Sequence, residues 1–247
     1  MCLSAARLEK LLWPRPIQFF PQIDSTQTVA LQWLHSDAMA GAVVIADEQL
    51  AGRGRLGRIW STPPGVALAL SVILRPEAKA LPQVTMLGAV AVAELLESLG
   101  ACAVTIKWPN DVRLLGRKVG GVLPEAIWDG NWLNGVALGI GVNVRNDFTT
   151  TELEGLAISV EAALGRKFDR AELIAALLAR VDYWVARLGT TDLFTAWKTR
   201  LETLGQAVKV VSSTGTVSGI AESVDEQGVL ILNDNGTRRP VIAGDVL

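Results

Sequence analysis

The stretch AGRGRLGRIW, residues 51–60, carries three glycines in the order G-x-G-x-x-G, the spacing of many dinucleotide-binding turns. In such a turn a helix begins at the last glycine, and its N-terminus binds the pyrophosphate. Here the last glycine is followed by RIWSTPPG, whose prolines and final glycine cannot begin that helix. The dinucleotide interpretation therefore fails. What remains is a flexible loop whose three arginines suit an anionic ligand: Arg53, Arg55 and Arg58.

Length and composition limit the classes of protein that need to be considered. The chain has 247 residues, half of them hydrophobic and 19% charged, which is typical of one or two globular domains. A net charge of −2 disfavours a nucleic-acid-coating surface, and no apolar run has membrane-spanning length. A single histidine, His35, excludes histidine-based metal clusters and serine–histidine triads. The chain has two cysteines, Cys2 and Cys102, which lack metal-ligand spacing and fit a reducing compartment. We therefore expect a cytoplasmic protein, and the lack of a long apolar run predicts no membrane partner.

The pattern of apolar residues and turn signals predicts an α+β fold with a mixed, largely antiparallel sheet. Residues 25–36 and 81–100 read as helices, and alternating apolar segments predict strands over 42–47, 65–74, 103–108 and 132–144. Residues 112–128 read as two strands around a turn near Gly116. Asp169 and Glu172 form a capping box for a later helix, and residues 191–205 predict another.

The character of the sequence changes near Leu204. Four short alternating segments follow, within 207–213, 216–224, 228–233 and 238–244, separated by Gly, Asp and Asn turns. A tail of this length is near the lower limit for independent folding, so we expect it to pack on the main domain as a small barrel. The predicted domains are residues 1–204 and 205–247.

Further clusters supply polar groups of the kind that a nucleotide requires. In KWPNDV, residues 107–112, a strand carries a lysine to the sheet edge and Asn-Asp forms a turn. GRKVGG presents Lys118 before two glycines, and in GIGVNV two glycines allow close approach of a ligand, while Asn143 can pair with a base edge. Trp60 either covers a flat base or fills the core. Together these cations, one carboxylate and an amide indicate a nucleotide with its phosphates.

Considered as a set, these segments resemble the biotin protein ligases. DSTQ at 24–27 resembles the substrate-binding Ser-Thr-Asn segment of that family, and DEQLAGRGRLGRIW resembles its glycine–arginine loop. KWPNDV, KVGGVL and LGIGVNV resemble its other signatures, and GIAESVDEQGVLIL with AGDV resembles its C-terminal barrel. The resemblance implies a catalytic domain like class II aminoacyl-tRNA synthetases and a small Src-homology-3-like barrel. It also implies ATP and Mg²⁺, biotin as substrate, and a biotin carboxyl carrier domain as partner.

The resemblance assigns roles to individual residues. The residues it implies for catalysis are Lys118, Arg55 and Asp111, the last also as a contact of Mg²⁺. Those it implies for biotin are Ser25, Thr26, Gln49, Gly52, Arg53, Lys118 and Gly121. Those it implies for ATP and the adenylate are Arg53, Arg55, Arg58, Trp60, Lys107, Asn110 and Asn143.

The chain departs from the family pattern at two positions, and two other functions remain as alternatives. Gln27 stands where the family usually has Asn, and Pro124 removes one backbone N–H from its strand. About twenty residues precede DSTQ, so we expect no N-terminal DNA-binding domain and no nucleic-acid partner; a homodimer is compatible with the family. The alternative enzyme is a lipoate–protein ligase, similar in fold and adenylate chemistry. A third interpretation is a non-catalytic biotin-responsive regulator.

Overall fold

The structure is a computed structural model that describes residues 3–212 and 215–247. Within them the helices are α1 (Ala5–Leu12), α2 (Thr26–His35), α3 (Gln83–Ser98), α4 (Val160–Leu164), α5 (Arg170–Val185) and α6 (Thr191–Lys198). The strands of the first sheet are β1 (Ile17–Ile23), β2 (Val43–Gln49), β3 (Ala67–Leu74), β4 (Val104–Lys107), β5 (Asp111–Leu114), β6 (Arg117–Asp129) and β7 (Trp132–Asn143). Those of the second are β8 (Ala207–Ser212), β9 (Gly215–Val224), β10 (Leu230–Asp234), β11 (Thr237–Val241) and β12 (Asp245–Val246).

The seven-stranded sheet has the order β1-β2-β3-β7-β6-β5-β4. β1 pairs with β2 in parallel, and every other neighbouring pair in this sheet is antiparallel. The prediction of a mixed, largely antiparallel sheet is therefore confirmed. No helix in the described part of the chain is long and apolar enough to cross a membrane.

Strand β3 explains why a cavity opens on one face of the sheet. All of its residues are buried, and the even-numbered positions Leu68, Leu70 and Val72 join the core cluster that contains α3. Because side chains alternate between faces, the odd-numbered positions face α2. There Ile73 packs in the cluster formed by α2, whereas the smaller Ala69 and Ser71 line an open cavity.

The second sheet is antiparallel, with the order β11-β10-β9-β8-β12. Its apolar residues belong to the same core cluster as α3, and the indole nitrogen of Trp108 donates to the Gly228 carbonyl oxygen at 2.9 Å. The expectation that the tail packs on the main domain is therefore confirmed. Its likeness to an Src-homology-3 barrel, the likeness of the main domain to class II synthetases, and the boundary at residue 204 stay predictions.

Several sequence-based expectations about individual elements were wrong or incomplete. The helix predicted over 191–205 ends at Lys198, because the next residues pair with the edge of the sheet instead: Ile106 donates to the Arg200 carbonyl oxygen, and Glu202 donates back to Ile106. This pairing satisfies a strand edge that would otherwise be exposed. Strands β1 and β12 and helices α1 and α4 were not predicted. Cys102 is exposed, and Cys2 and Ser213 lie outside the described residues.

Candidate active site

A cavity of about 450 Å³ lies between the N-terminus of α2, the loop of residues 51–60, strands β3, β6 and β7, and the β4–β5 turn. This volume is in the range of small-ligand sites. Of the site residues predicted from the sequence, those that line the cavity are Ser25, Thr26, Gln49, Arg53, Arg55, Arg58, Trp60, Lys107, Asn110, Asp111, Lys118, Gly121 and Asn143. Gly52 is outside this set: it belongs to the loop itself, and an added Cβ there would be 2.2 Å from the Trp60 carbonyl oxygen.

One end of the cavity is lined by buried hydrogen-bonding side chains. The backbone N–H of Thr26 donates to Gln49 Oε1 at 2.9 Å, and the Thr26 hydroxyl lies 3.0 Å from the same oxygen. Ser25 is only 3% exposed, and its hydroxyl has no hydrogen-bond partner among the described residues. Because buried hydroxyls are almost always paired, this hydroxyl is a group that a polar atom in the cavity can satisfy.

Gln27 has a defined structural role behind this polar end. Its Nε2 donates to the carbonyl oxygens of Leu123 and Ala137 at 3.1 and 2.9 Å, and its Oε1 accepts from the Ser71 hydroxyl at 2.8 Å. Gln27 therefore joins α2 to strands β3, β6 and β7. Sequence reasoning did not assign Ser71 to the site, although a lone hydroxyl in an otherwise apolar strand was the available signal.

Lys118 and Asp111 form an ion pair in the cavity, with Lys118 Nζ 2.6 Å from Asp111 Oδ1. A β-bulge brings this about: Val112 pairs with Gly120 and Arg113 with Lys118, so Val119 is an extra residue in β6. The bulge places Lys118 on the same side as Gly121, where an added Cβ would be 3.5 Å from both Lys118 Cε and Asp111 Oδ1.

The β4–β5 turn supplies further polar groups near the Lys118–Asp111 pair. Lys107 ends β4 directly opposite Asp111 in the register. Asn110 is buried: its Nδ2 donates to the Val122 carbonyl oxygen at 2.8 Å, and its Oδ1 accepts from Arg55 Nη1 at 3.1 Å. In the predicted Asn-Asp turn, the side-chain amide of Asn110 therefore links β6 to Arg55 and orients its guanidinium.

Gly139 and Gly141 of β7 line the cavity, and they also make room for protein side chains. An added Cβ at Gly141 would lie 2.4 Å from Trp60 Cε2, and one at Gly139 would lie 2.8 Å from Gln27 Oε1. The indole of Trp60 therefore rests against β7, with Lys118 Nζ 5.6 Å from the ring centroid. Asn143 is buried, and its Nδ2 lies 3.5 Å from the Ile158 carbonyl oxygen.

The glycine–arginine loop, residues 51–60, is a small hairpin. Gly54 donates to the Arg58 carbonyl oxygen and Trp60 to that of Gly52, both at 2.8 Å. A short 3-10 turn follows Gly54, with Leu56 in the left-handed region at φ 53°. No α-helix starts here, and the next regular element is β3, so the rejection of a dinucleotide-binding turn is confirmed.

The three loop arginines lie beside two carboxylates, one on β6 and one on β12. Arg53 pairs with Glu125 of β6 at 3.0 Å, and Arg58 pairs with Asp245 of β12. Arg55 lies 3.8 Å from Asp245, and burial lowers its pKa from the usual value, an effect that Asp245 and Asp111 oppose. The carboxylates therefore offset repulsion among the arginines, a feature that sequence reasoning missed because both partners are distant in the chain.

Two family models match this chain. The model of the biotin/lipoate A/B protein ligase family matches residues 19–143, and that of the biotin protein ligase C-terminal domain matches residues 203–247. The chain belongs to the biotin/lipoate A/B protein ligase family.

The similar proteins within this family include biotin ligases. The chain is 36% identical to the biotin–[acetyl-CoA-carboxylase] ligase of Paracoccus denitrificans over 90% of this chain and 96% of that protein. It is 35% identical to the bifunctional ligase/repressor BirA of Bacillus subtilis over 91% of this chain and 71% of the relative. The biotin protein ligase of Aquifex aeolicus, solved in complex with biotin and ATP, has a TM-score of 0.80 at 26% identity, covering 94% and 97% of the two chains.

Proposed function

We propose that this protein is an ATP-dependent biotin–protein ligase. It activates biotin as biotinyl-5′-AMP, releases pyrophosphate, and transfers the biotinyl group to a lysine of a biotin carboxyl carrier domain. The family membership and the relatives named as biotin–[acetyl-CoA-carboxylase] ligases support this function.

The observation that carries the proposal is the arrangement of one cavity with two chemically different ends. The first end has the buried hydroxyls of Ser25 and Thr26 and the amide of Gln49, which suit the N–H and C=O groups of a ureido ring. The second has the Lys118–Asp111 pair and the guanidinium of Arg55, which suit a carboxylate and phosphates. A ligand that spans both ends is polar at one extremity and anionic at the other, as biotin is.

In the first step a carboxylate oxygen of biotin attacks the α-phosphorus of ATP. A new O–P bond forms, the P–O bond to the β-phosphate breaks, and pyrophosphate leaves with the bonding electrons. Because two anions must meet, cations are required where their charges gather. Lys118 would lie between the biotin carboxylate and the α-phosphate, while Arg55, held by Asn110, would bind the phosphate of the adenylate.

Magnesium fits this site as a companion of ATP, with charge neutralisation of the triphosphate as the chemistry it supplies. The described residues contain no group of three His, Cys, Asp or Glu that could hold a metal ion by themselves. Mg²⁺ commonly binds through one or two carboxylates together with substrate phosphates, and Asp111 is the carboxylate beside Lys118. We propose Asp111 as its protein contact.

In the second step the neutral amine of the carrier lysine attacks the carbonyl carbon of the adenylate. An amide bond forms, the bond from that carbon to the AMP oxygen breaks, and the amine loses a proton. Asp111 lies in the cavity and can accept that proton. Trp60 and Asn143 would face the adenine, together with the cations Lys107, Arg53 and Arg58 around the phosphates.

A lipoate–protein ligase belongs to the same family, but the site favours biotin. Lipoate ends in an apolar dithiolane, which would leave the buried Ser25 hydroxyl without a partner, at a cost of about 1–3 kcal/mol. A non-catalytic regulator has no use for the Lys118–Asp111 pair. We further propose that the protein acts in the cytoplasm on a biotin-dependent carboxylase, without nucleic acid and with a homodimer as its candidate assembly.

The direct experiment is to incubate the protein with ATP, Mg²⁺ and either biotin or lipoate, and to detect the acyl-adenylate by mass spectrometry. A biotin carboxyl carrier domain and the same domain with its target lysine changed to arginine are then added. Biotinyl-adenylate formation followed by labelling of the intact carrier alone is expected. Efficient lipoyl-adenylate formation without a biotin product would overturn the proposal.

A further inference from the structure

We propose that Asp245 is a positioning residue that holds Arg55 and Arg58 together at the phosphate end of the cavity. The inference rests on the proposed function and extends it to the C-terminal sheet. Asp245 begins β12, and its side chain is only 14% exposed. Its Oδ2 contacts Arg58 Nη2, its Oδ1 lies 3.8 Å from Arg55 Nη1, and the Gly244 carbonyl oxygen accepts from Arg55 Nη2 at 3.2 Å.

A carboxylate is required here because two guanidinium groups lie side by side. Like charges at short range repel, and Arg55 is partly buried, which strengthens the effect. Asp245 bridges the two arginines and leaves one net positive charge for a phosphate. The Arg58 side chain is 62% exposed, so without this bridge it can turn away into solvent.

The carboxylate is held in a fixed position. Asp245 pairs with Val211 of β8, and an added Cβ at Gly244 would be 2.6 Å from Val210 Cγ1 and 2.9 Å from the Val211 carbonyl oxygen. The backbone of this segment is therefore pressed against β8. Arg55 is held from the other side by Asn110, so the second sheet and the first sheet orient the same guanidinium.

The contacts to Asn110 and Gly244 use two of the five N–H donors of Arg55. The guanidinium lines the cavity, so its remaining donors are available to a ligand there. Positioning by Asp245 should therefore affect binding of the phosphates and of the adenylate. It should leave binding of biotin alone unchanged, because the ureido-binding end is formed by α2 and β2.

The test is Asp245→Asn, which keeps the shape of the side chain and removes its charge. We expect about a tenfold rise in the KM for ATP and a similar acceleration of biotinyl-adenylate release. The Kd for biotin and the first-turnover rate of pyrophosphate release at saturating ATP should stay within twofold. The matched control is Asp234→Asn, which removes the charge from a surface pair with Arg239 in the same sheet and should change none of these values.

A double-mutant cycle with Arg58→Gln separates positioning from general damage. Because Arg58 is exposed, its substitution does not threaten folding, and the effect of Asp245→Asn should shrink at least threefold in that background. An unchanged or lowered KM for ATP, an equal loss of biotin affinity, or fully additive effects would each overturn the inference. Failure of the unmodified protein to form biotinyl-adenylate would instead refute the proposed function.

Discussion

Substituting Lys118 with Ala should impair adenylate formation far more than transfer. The amine of Lys118 lies 2.6 Å from Asp111 Oδ1, and the side chain is 34% exposed. Two unit charges about 4 Å apart at an effective dielectric of 20 interact by about 4 kcal/mol, and partial exposure reduces this figure. We therefore expect a loss of about 3 kcal/mol, which corresponds to a rate of adenylate formation lowered about 10²-fold.

The assay measures pyrophosphate release with saturating biotin and ATP, and separately measures transfer from supplied biotinyl-adenylate to a carrier domain. In the supplied adenylate the biotin carboxylate is already an anhydride, so its charge no longer needs Lys118. Transfer should therefore fall less than tenfold. Lys79→Ala is the control, because Lys79 is exposed and pairs with Glu77 away from the cavity.

Two outcomes would refute this reasoning. Pyrophosphate release by the Lys118→Ala variant within threefold of the unmodified protein would show that the lysine does not neutralise the reacting anions. Equal losses in adenylate formation and transfer would show that Lys118 acts on the site in general and has no specific role in the first step.

Three further predictions concern the loop, its support and a helix cap. Arg55→Gly should keep adenylate synthesis but release the intermediate, so that albumin becomes biotinylated; labelling at the unmodified level would contradict this. Gly141→Ala should displace Trp60, whose ring would lie 2.4 Å from the new Cβ, and lower the free energy of unfolding by about 1–3 kcal/mol in urea titration. Asp169→Ala should lower it by about 1 kcal/mol by uncapping α5; Asp169→Asn, which retains a capping oxygen, should cost less.

Most of the local structure could be predicted from the sequence. The turns, the capping oxygen of Asp169 and the alternation of apolar residues depend on neighbouring residues, so they can be interpreted without a fold. Apart from Gly52, thirteen residues were predicted for the site, and all thirteen line one cavity. Twelve of them are polar or aromatic. The concentration of arginines between glycines was in itself a sign of an anion site.

For Pro124, the structure shows what the loss of its backbone N–H costs the sheet. The backbone N–H of Val122 donates to the Asn110 carbonyl oxygen, away from β7. Because peptide groups alternate along a strand, the nitrogen of residue 124 also faces away from β7, beyond the end of β5. The proline therefore removes no hydrogen bond from the β6–β7 ladder, which could not be known before the register of the strands was established.

By itself, the sequence determined the broad fold class, most elements and a set of residue types suited to an anionic ligand, because these follow from periodicity, turn chemistry and local charge. Only the tertiary structure decided which partners those residues have. Asp245 is 190 residues from Arg55 in the chain, Ser71 is 44 from Gln27, and the two glycines of β7 receive Trp60 and Gln27. Such contacts depend on strand register and on packing between the sheets, and local sequence carries no direct record of either.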